Sequence, residues 1–73
     1  MEELGDVLHL AKSGRLIVKL REKVQVNTLV LDEKGRKIGK IAELIGPVSS
    51  PYASVIPLTD RVKRYIGKKV FKG

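Results

Sequence analysis

Along most of this chain, apolar positions come in short extended-type runs separated by glycine or by charge. Leu4 to Ala11 mixes apolar residues with Asp6 and His9 and predicts a first strand, and Lys12-Ser13-Gly14 predicts a turn. Arg15 to Leu20 predicts a second strand, in which Leu16, Val18 and Leu20 alternate with Arg15, Ile17 and Lys19. Together they read as a hairpin. Arg21-Glu22-Lys23 is a charged connection leading through an extended Val24-Gln25-Val26 to a third strand over Thr28 to Asp32, after which Gly35 supplies a tight reversal. Arg36 to Ile45 is a fourth strand, with Ile38, Ala42 and Leu44 expected on one face and Gly39, Ile41, Glu43 and Ile45 on the other. Gly39 inside that strand predicts a bulge or a sharp bend. Tyr52 to Pro57 reads as a fifth strand, Arg61 to Ile66 as a short helix capped by Thr59 or Asp60 and ended by Gly67, and Val70-Phe71 as a short sixth strand. Five or six short strands with turn residues between them predict an all-β, closed antiparallel barrel, since closure removes exposed strand edges.

Length changes this picture only by bounding the core. A chain of 73 residues is expected to be one domain spanning residues 1–73, burying only about 60% of the surface its unfolded form exposes. Without cysteine it has neither disulfides nor thiolate metal sites, and with no apolar leader or membrane-length run the expectation is a soluble, intracellular protein. Charge adds more. Fifteen Lys and Arg against eight Asp and Glu give a net charge of +7, which favours phosphate or an acidic protein surface as partner. Glu2, Glu3 and Asp6 make the start acidic, whereas Arg61, Lys63, Arg64, Lys68, Lys69 and Lys72 form a basic pole at the end. Many charged residues beside one Asn, one Gln and no Cys also match the composition favoured at high temperature.

Candidate chemistry narrows the choice by subtraction. The one histidine, His9, has no patterned neighbours, and nothing sets Ser13, Ser49, Ser50 or Ser54 apart as a nucleophile. Asp32, Glu33 and Glu43 form no recognisable acid/base pair, Asp32-Glu33 reading as a solvated turn, and Gly35 and Gly39 lack the strand-to-helix context of a phosphate loop. No enzyme, metal or cofactor is expected. Stacking on single-stranded nucleic acid wants several exposed aromatics, and the chain has only Tyr52, Tyr65 and Phe71, the last expected in the core. Lys63, Arg64, Lys68 and Lys69 remain candidates for contact with RNA phosphate.

One connection is too apolar for an ordinary turn: Ile45-Gly46-Pro47-Val48-Ser49-Ser50-Pro51-Tyr52. Its two prolines fix backbone torsions and push the preceding residues toward extended geometry, so the segment is stiff. A stiff loop loses little freedom on binding. Ile45, Val48 and Tyr52 therefore read either as a preorganised apolar patch for a partner or as a plug folded over the barrel end.

Ile38-Gly39-Lys40-Ile41, then Glu43-Leu44-Ile45-Gly46-Pro47-Val48, then Pro51-Tyr52 and Val55, resemble the central signature of the Gar-one family, the small barrel subunit of H/ACA ribonucleoprotein particles. Gly5-Val7-Leu8-His9 leading to Ser13-Gly14-Arg15-Leu16-Ile17-Val18, and Val30-Asp32-Gly35, agree with it, so the likeness covers nearly the whole chain. The resemblance implies a six-stranded barrel of the reductase, isomerase and elongation factor type, without activity of its own. It implies docking on the pseudouridine synthase of the particle, near the mobile loop over substrate RNA, and help with substrate loading and product release in RNA-guided pseudouridylation of rRNA. Guide and substrate RNA are then met mainly through the complex, with no membrane and no small-molecule substrate. By position Gly46, Pro47, Val48, Pro51 and Tyr52 carry the partner-binding motif, and strand alternation is expected to set Ile45 and Val55 beside it. Leu44-Ile45 departs from the family, where an aromatic often precedes the glycine. The lack of glycine-arginine arms implies the archaeal form, in the cytoplasm, rather than the eukaryotic, nucleolar one. The alternatives are an independent RNA-binding barrel using the basic C-terminal segment, and a ribosome-maturation barrel.

Overall fold

The computed structural model describes residues 1–49 and 51–73; Ser50, one of the serines weighed as a nucleophile, lies outside the described residues. Six strands, β1 (Glu2–Leu10), β2 (Leu16–Leu20), β3 (Leu29–Leu31), β4 (Lys37–Ile45), β5 (Tyr52–Pro57) and β6 (Lys69–Lys72), close into an antiparallel barrel in the order β1-β2-β5-β4-β3-β6. The expected barrel is therefore present. Closure is thinnest between β3 and β6, which meet at the single pair Leu31 and Phe71.

The two long strands bend by the same device. In β1 the register slips past Leu4 and again past Leu8, and in β4 it slips past Ile38 against β3 and past Ala42 against β5. Each slip inserts one unpaired residue and resets the side-chain alternation. Leu4 and Val7 consequently both lie in the core although they are three residues apart, and so do Ile38 and Ile41. The simple alternation expected for β4 fails for this reason. Gly39 lies between that second pair, where a β-carbon would come within 2.5 Å of Val55 Cγ1 and 2.9 Å of the Ile56 carbonyl oxygen. Only glycine allows β4 and β5 to approach so closely. β2 keeps its expected alternation, with Leu16, Val18 and Leu20 buried. Val24, from the β2–β3 connection, joins the same core, but Val24-Gln25-Val26 is not a strand; it enters a turn at Val26-Asn27, where Asn27 takes a φ of +75°.

The expected helix does not form. Val62–Tyr65 makes one 3₁₀ turn, and Ile66 leaves it with extended torsions. The turn is bounded by a bend in which Thr59 Oγ1 accepts from the Arg61 N–H at 3.2 Å and by Gly67 at φ +81°, and Ile66, already extended, ends it after four residues, so it stays a single 3₁₀ turn. Phe71, expected in the core, is half-buried on β6. Among the described residues no helix is long and apolar enough to cross a membrane.

Candidate functional site

The connection joins β4 to β5, and its described residues Gly46, Pro47, Val48 and Ser49 are exposed. Gly46 adopts φ +88°, a left-handed conformation in which a β-carbon is strained, and that β-carbon would also touch the Tyr52 ring at 3.4 Å. Glycine thus turns the chain and lets Tyr52 lie against it. Pro51 is buried, and its carbonyl accepts a hydrogen bond from the Leu20 N–H at 3.1 Å, anchoring the far side of the loop to the end of β2. Between these fixed points Val48 is 80% exposed and Ile45 43% exposed. The plug arrangement does not occur for Val48. Across the outer wall, Tyr52 pairs in register with Ile45 on β4 and Lys19 on β2.

Of the seven residues expected at this corner, Ile45, Gly46, Pro47 and Val48 are exposed, Tyr52 is half-buried, and Pro51 is the buried anchor. Val55 is a correction. It is three residues beyond Tyr52, so alternation along β5 sends it to the opposite face, where it is wholly buried in the core. Ile41 is likewise core, and Ile17 is half-buried on the outer wall opposite Ser54.

At the other end of β4 stands a second, chemically opposite feature. The turn Asp32–Arg36 is a three-residue hairpin loop: the Asp32 N–H donates to the Arg36 carbonyl and the Gly35 N–H to the Asp32 carbonyl, both at 2.9 Å, with Gly35 at φ +81°. The Asp32 carboxylate, on a residue only 3% exposed, accepts four hydrogen bonds. Oδ1 takes the N–H groups of Lys34 and Arg36 at 2.9 Å; Oδ2 takes Arg36 Nε–H at 2.9 Å and the Tyr65 hydroxyl at 3.1 Å. Burial alone would push this carboxyl up, but the hydrogen bonds, led by those from Arg36, outweigh it and hold the pKa down to about 2. Asp32 thereby ties the β3–β4 turn to the 3₁₀ turn.

Beside it opens a cleft of about 560 Å³, walled by Tyr65 and Phe71 and by the start of β6. Three of the four candidate phosphate-binding cations, Arg64, Lys68 and Lys69, line it, while Lys63 does not. The basic pole is less free than the sequence suggests, because β1 and β6 are neighbours: Lys69 pairs with Glu3 at 3.3 Å, and Lys72 pairs with Glu2 and Glu22, each at 3.6 Å. Sequence reasoning missed Lys34, Arg36 and the bracing role of Asp32. The available signal was an aspartate three residues before the turn glycine, the position from which a carboxylate captures turn amides. Among the described residues no group of three His, Cys, Asp or Glu could hold a metal ion.

The family described as Gar1/Naf1 RNA binding region matches residues 1–73. An uncharacterized protein of Methanothermobacter thermautotrophicus is 27% identical over 77 residues, covering all of this chain and 84% of its own length. Another, of Methanocaldococcus jannaschii, is 29% identical over 58 residues, covering 80% of this chain and 70% of its own.

Proposed function

The chain belongs to the Gar1/Naf1 RNA-binding-region family, and from that premise we propose that it is a non-catalytic protein subunit of an H/ACA ribonucleoprotein in an archaeal cell. Its direct partner is the pseudouridine synthase subunit, gripped by the corner formed by Ile45, Gly46, Pro47, Val48 and Tyr52, with Pro51 as the internal anchor. Substrate and guide RNA are reached mainly through that complex, and the subunit promotes substrate loading and product release in RNA-guided pseudouridylation of rRNA.

The observation that carries this reading is Val48, 80% exposed on a proline-restricted loop that turns at left-handed Gly46 and is anchored at Pro51. An exposed valine on a floppy loop would be unremarkable; on a preset one, its burial by a partner gains hydrophobic free energy with little ordering cost. The same wall offers Tyr52, an aromatic of the kind that dominates protein interfaces, flanked by Lys19 at its edge.

A guided pseudouridylation assay with purified synthase, guide RNA and excess substrate tests it. Adding the parent chain raises the multiple-turnover rate, and the Val48→Glu variant, folded to the same melting temperature, fails to do so. Equal stimulation by parent and variant would remove the corner from the account.

A further inference from the structure

The cleft at the opposite end of β4 is not used by that reading, and we propose that it receives a short, extended, acidic segment of a protein partner, which adds as a strand to the open edge of β6 and sets its carboxylates against Lys34, Arg64 and Lys68. The proposal stands on the cleft alone and does not depend on the H/ACA reading.

Three observations combine. The first is an open edge. β6 pairs with β1 at four positions, and the attachment continues back to Gly67, whose N–H donates to the Val7 carbonyl at 2.8 Å, while the Lys68 carbonyl accepts from the Val7 N–H at 3.0 Å. On its other side β6 meets β3 only at Leu31 and Phe71, because the chain leaves β3 there for the Asp32–Arg36 turn. Among the described residues, no strand therefore covers Gly67, Lys68 and Lys69 on the side where they line the cleft. A segment held along one side and open along the other is a template for an added strand. The second observation is charge. Five cations and two carboxylates line the cleft, but Arg36 is paired with Asp32, which already accepts from four donors, and Lys69 is paired with Glu3. Among the described residues, Lys34, Arg64 and Lys68 have no carboxylate within ion-pair distance; they approach the cleft from the hairpin turn, the 3₁₀ turn and the segment before β6. They are free to donate to carboxylates brought by a partner. The third observation decides between polyanions, since a stacked base needs a bare ring. Tyr65 packs against the core, its hydroxyl is held by Asp32, and the Arg64 guanidinium lies over its ring 5.9 Å from the centroid, while Phe71 is half-buried. What the cleft leaves accessible is main chain and cations, which suits the backbone and carboxylates of a peptide. The hairpin is braced through Asp32, so the far wall is in position before any ligand arrives.

The test is fluorescence anisotropy of a short labelled peptide of alternating Glu and Val with the full chain. The Lys34→Gln/Arg64→Gln/Lys68→Gln variant is expected to bind at least about tenfold more weakly, while Lys12→Gln/Arg15→Gln/Lys23→Gln, with the same change in net charge, stays within about twofold. The same peptide N-methylated throughout keeps its carboxylates but has no backbone donors, and is expected to bind the parent at least about fivefold more weakly. Should the cleft triple melt early, Lys68→Gln alone is expected to weaken peptide binding about threefold. No binding by the parent, equal losses in the two triples, full affinity of the methylated peptide, or displacement of the peptide by single-stranded oligo(U) at equal charge concentration would overturn the proposal. The last outcome would instead make the cleft an RNA site. Binding of the synthase by the cleft triple is measured in parallel and expected unchanged, so loss of peptide binding and loss of the corner's partner are told apart.

Discussion

The two ends of β4 solve opposite problems with the same kind of part, a loop held rigid. At the Ile45 end the backbone turns at a left-handed glycine and is restricted by prolines, and what it displays is an uncharged apolar side chain. At the Lys37 end the hairpin is stiffened by a buried carboxylate, and what surrounds it is positive charge beside aromatic walls. Backbone stiffening leaves the side chains free to be greasy, because no polar group is needed to hold the loop. Polar stiffening leaves a charged environment and a dependence on pH. The proposed function assigns its protein partner to the apolar end.

Substitutions separate the two ends in order of effect. Gly39→Val should damage both at once, since the added carbons collide with Val55 and the Ile56 carbonyl in the strand that connects them; we expect a loss of about 3 kcal/mol, read by urea unfolding. Asp32→Asn should loosen only the charged end, at a cost of about 2 kcal/mol, because an amide nitrogen replaces the Oδ2 acceptor of Arg36 Nε–H and the Tyr65 hydroxyl. It also changes the acid limb. The folded-state carboxyl lies at about 2, below the ordinary 3.8, so its stabilisation is complete above pH about 4 and is lost as pH falls toward 2. In Asp32→Asn that part of the pH dependence should vanish, and a melting-temperature profile from pH 6 to 2 matching the parent's would refute the bracing role. Gly46→Ala should cost about 1 kcal/mol through its positive φ and weaken the apolar corner alone. Glu3→Gln removes the Lys69 partner and should change stability by no more than about 0.5 kcal/mol, read by urea unfolding.

Much of this was legible in the sequence, for reasons that differ by residue. β5 has the span read from the pattern, Tyr52–Pro57, because no bulge falls within it and it runs from the proline-bearing connection before it to Pro57 at its own end. β1 and β4 were located, but their inward faces were not, since a bulge resets alternation and only pairing with neighbours reveals where; Ile38 with Ile41 and Leu4 with Val7 are the result. Val55, expected on the contact face beside Tyr52, stands at an odd spacing from that residue and lies in the core. Thr59 or Asp60 as cap and Gly67 as terminator predict a helix where only one 3₁₀ turn forms.

Two hairpin turns show what local sequence can and cannot reveal. Ala11–Arg15 and Asp32–Arg36 share one backbone pattern, each with a glycine at positive φ and the same pair of cross-turn hydrogen bonds. The first begins with alanine and is a plain reversal. The second begins with aspartate, and its two amide contacts were readable locally, whereas the hydrogen bond from Tyr65, 33 residues away, required the fold.

Calorimetric titration of the cognate pseudouridine synthase subunit with the parent chain and with Val48→Glu tests the central claim most directly, namely that the fixed apolar corner is the grip. The account predicts affinity at least about 30-fold weaker for the variant, with melting unchanged, as expected when charge is set at a buried interface anchor. Affinities within about twofold of each other would contradict it.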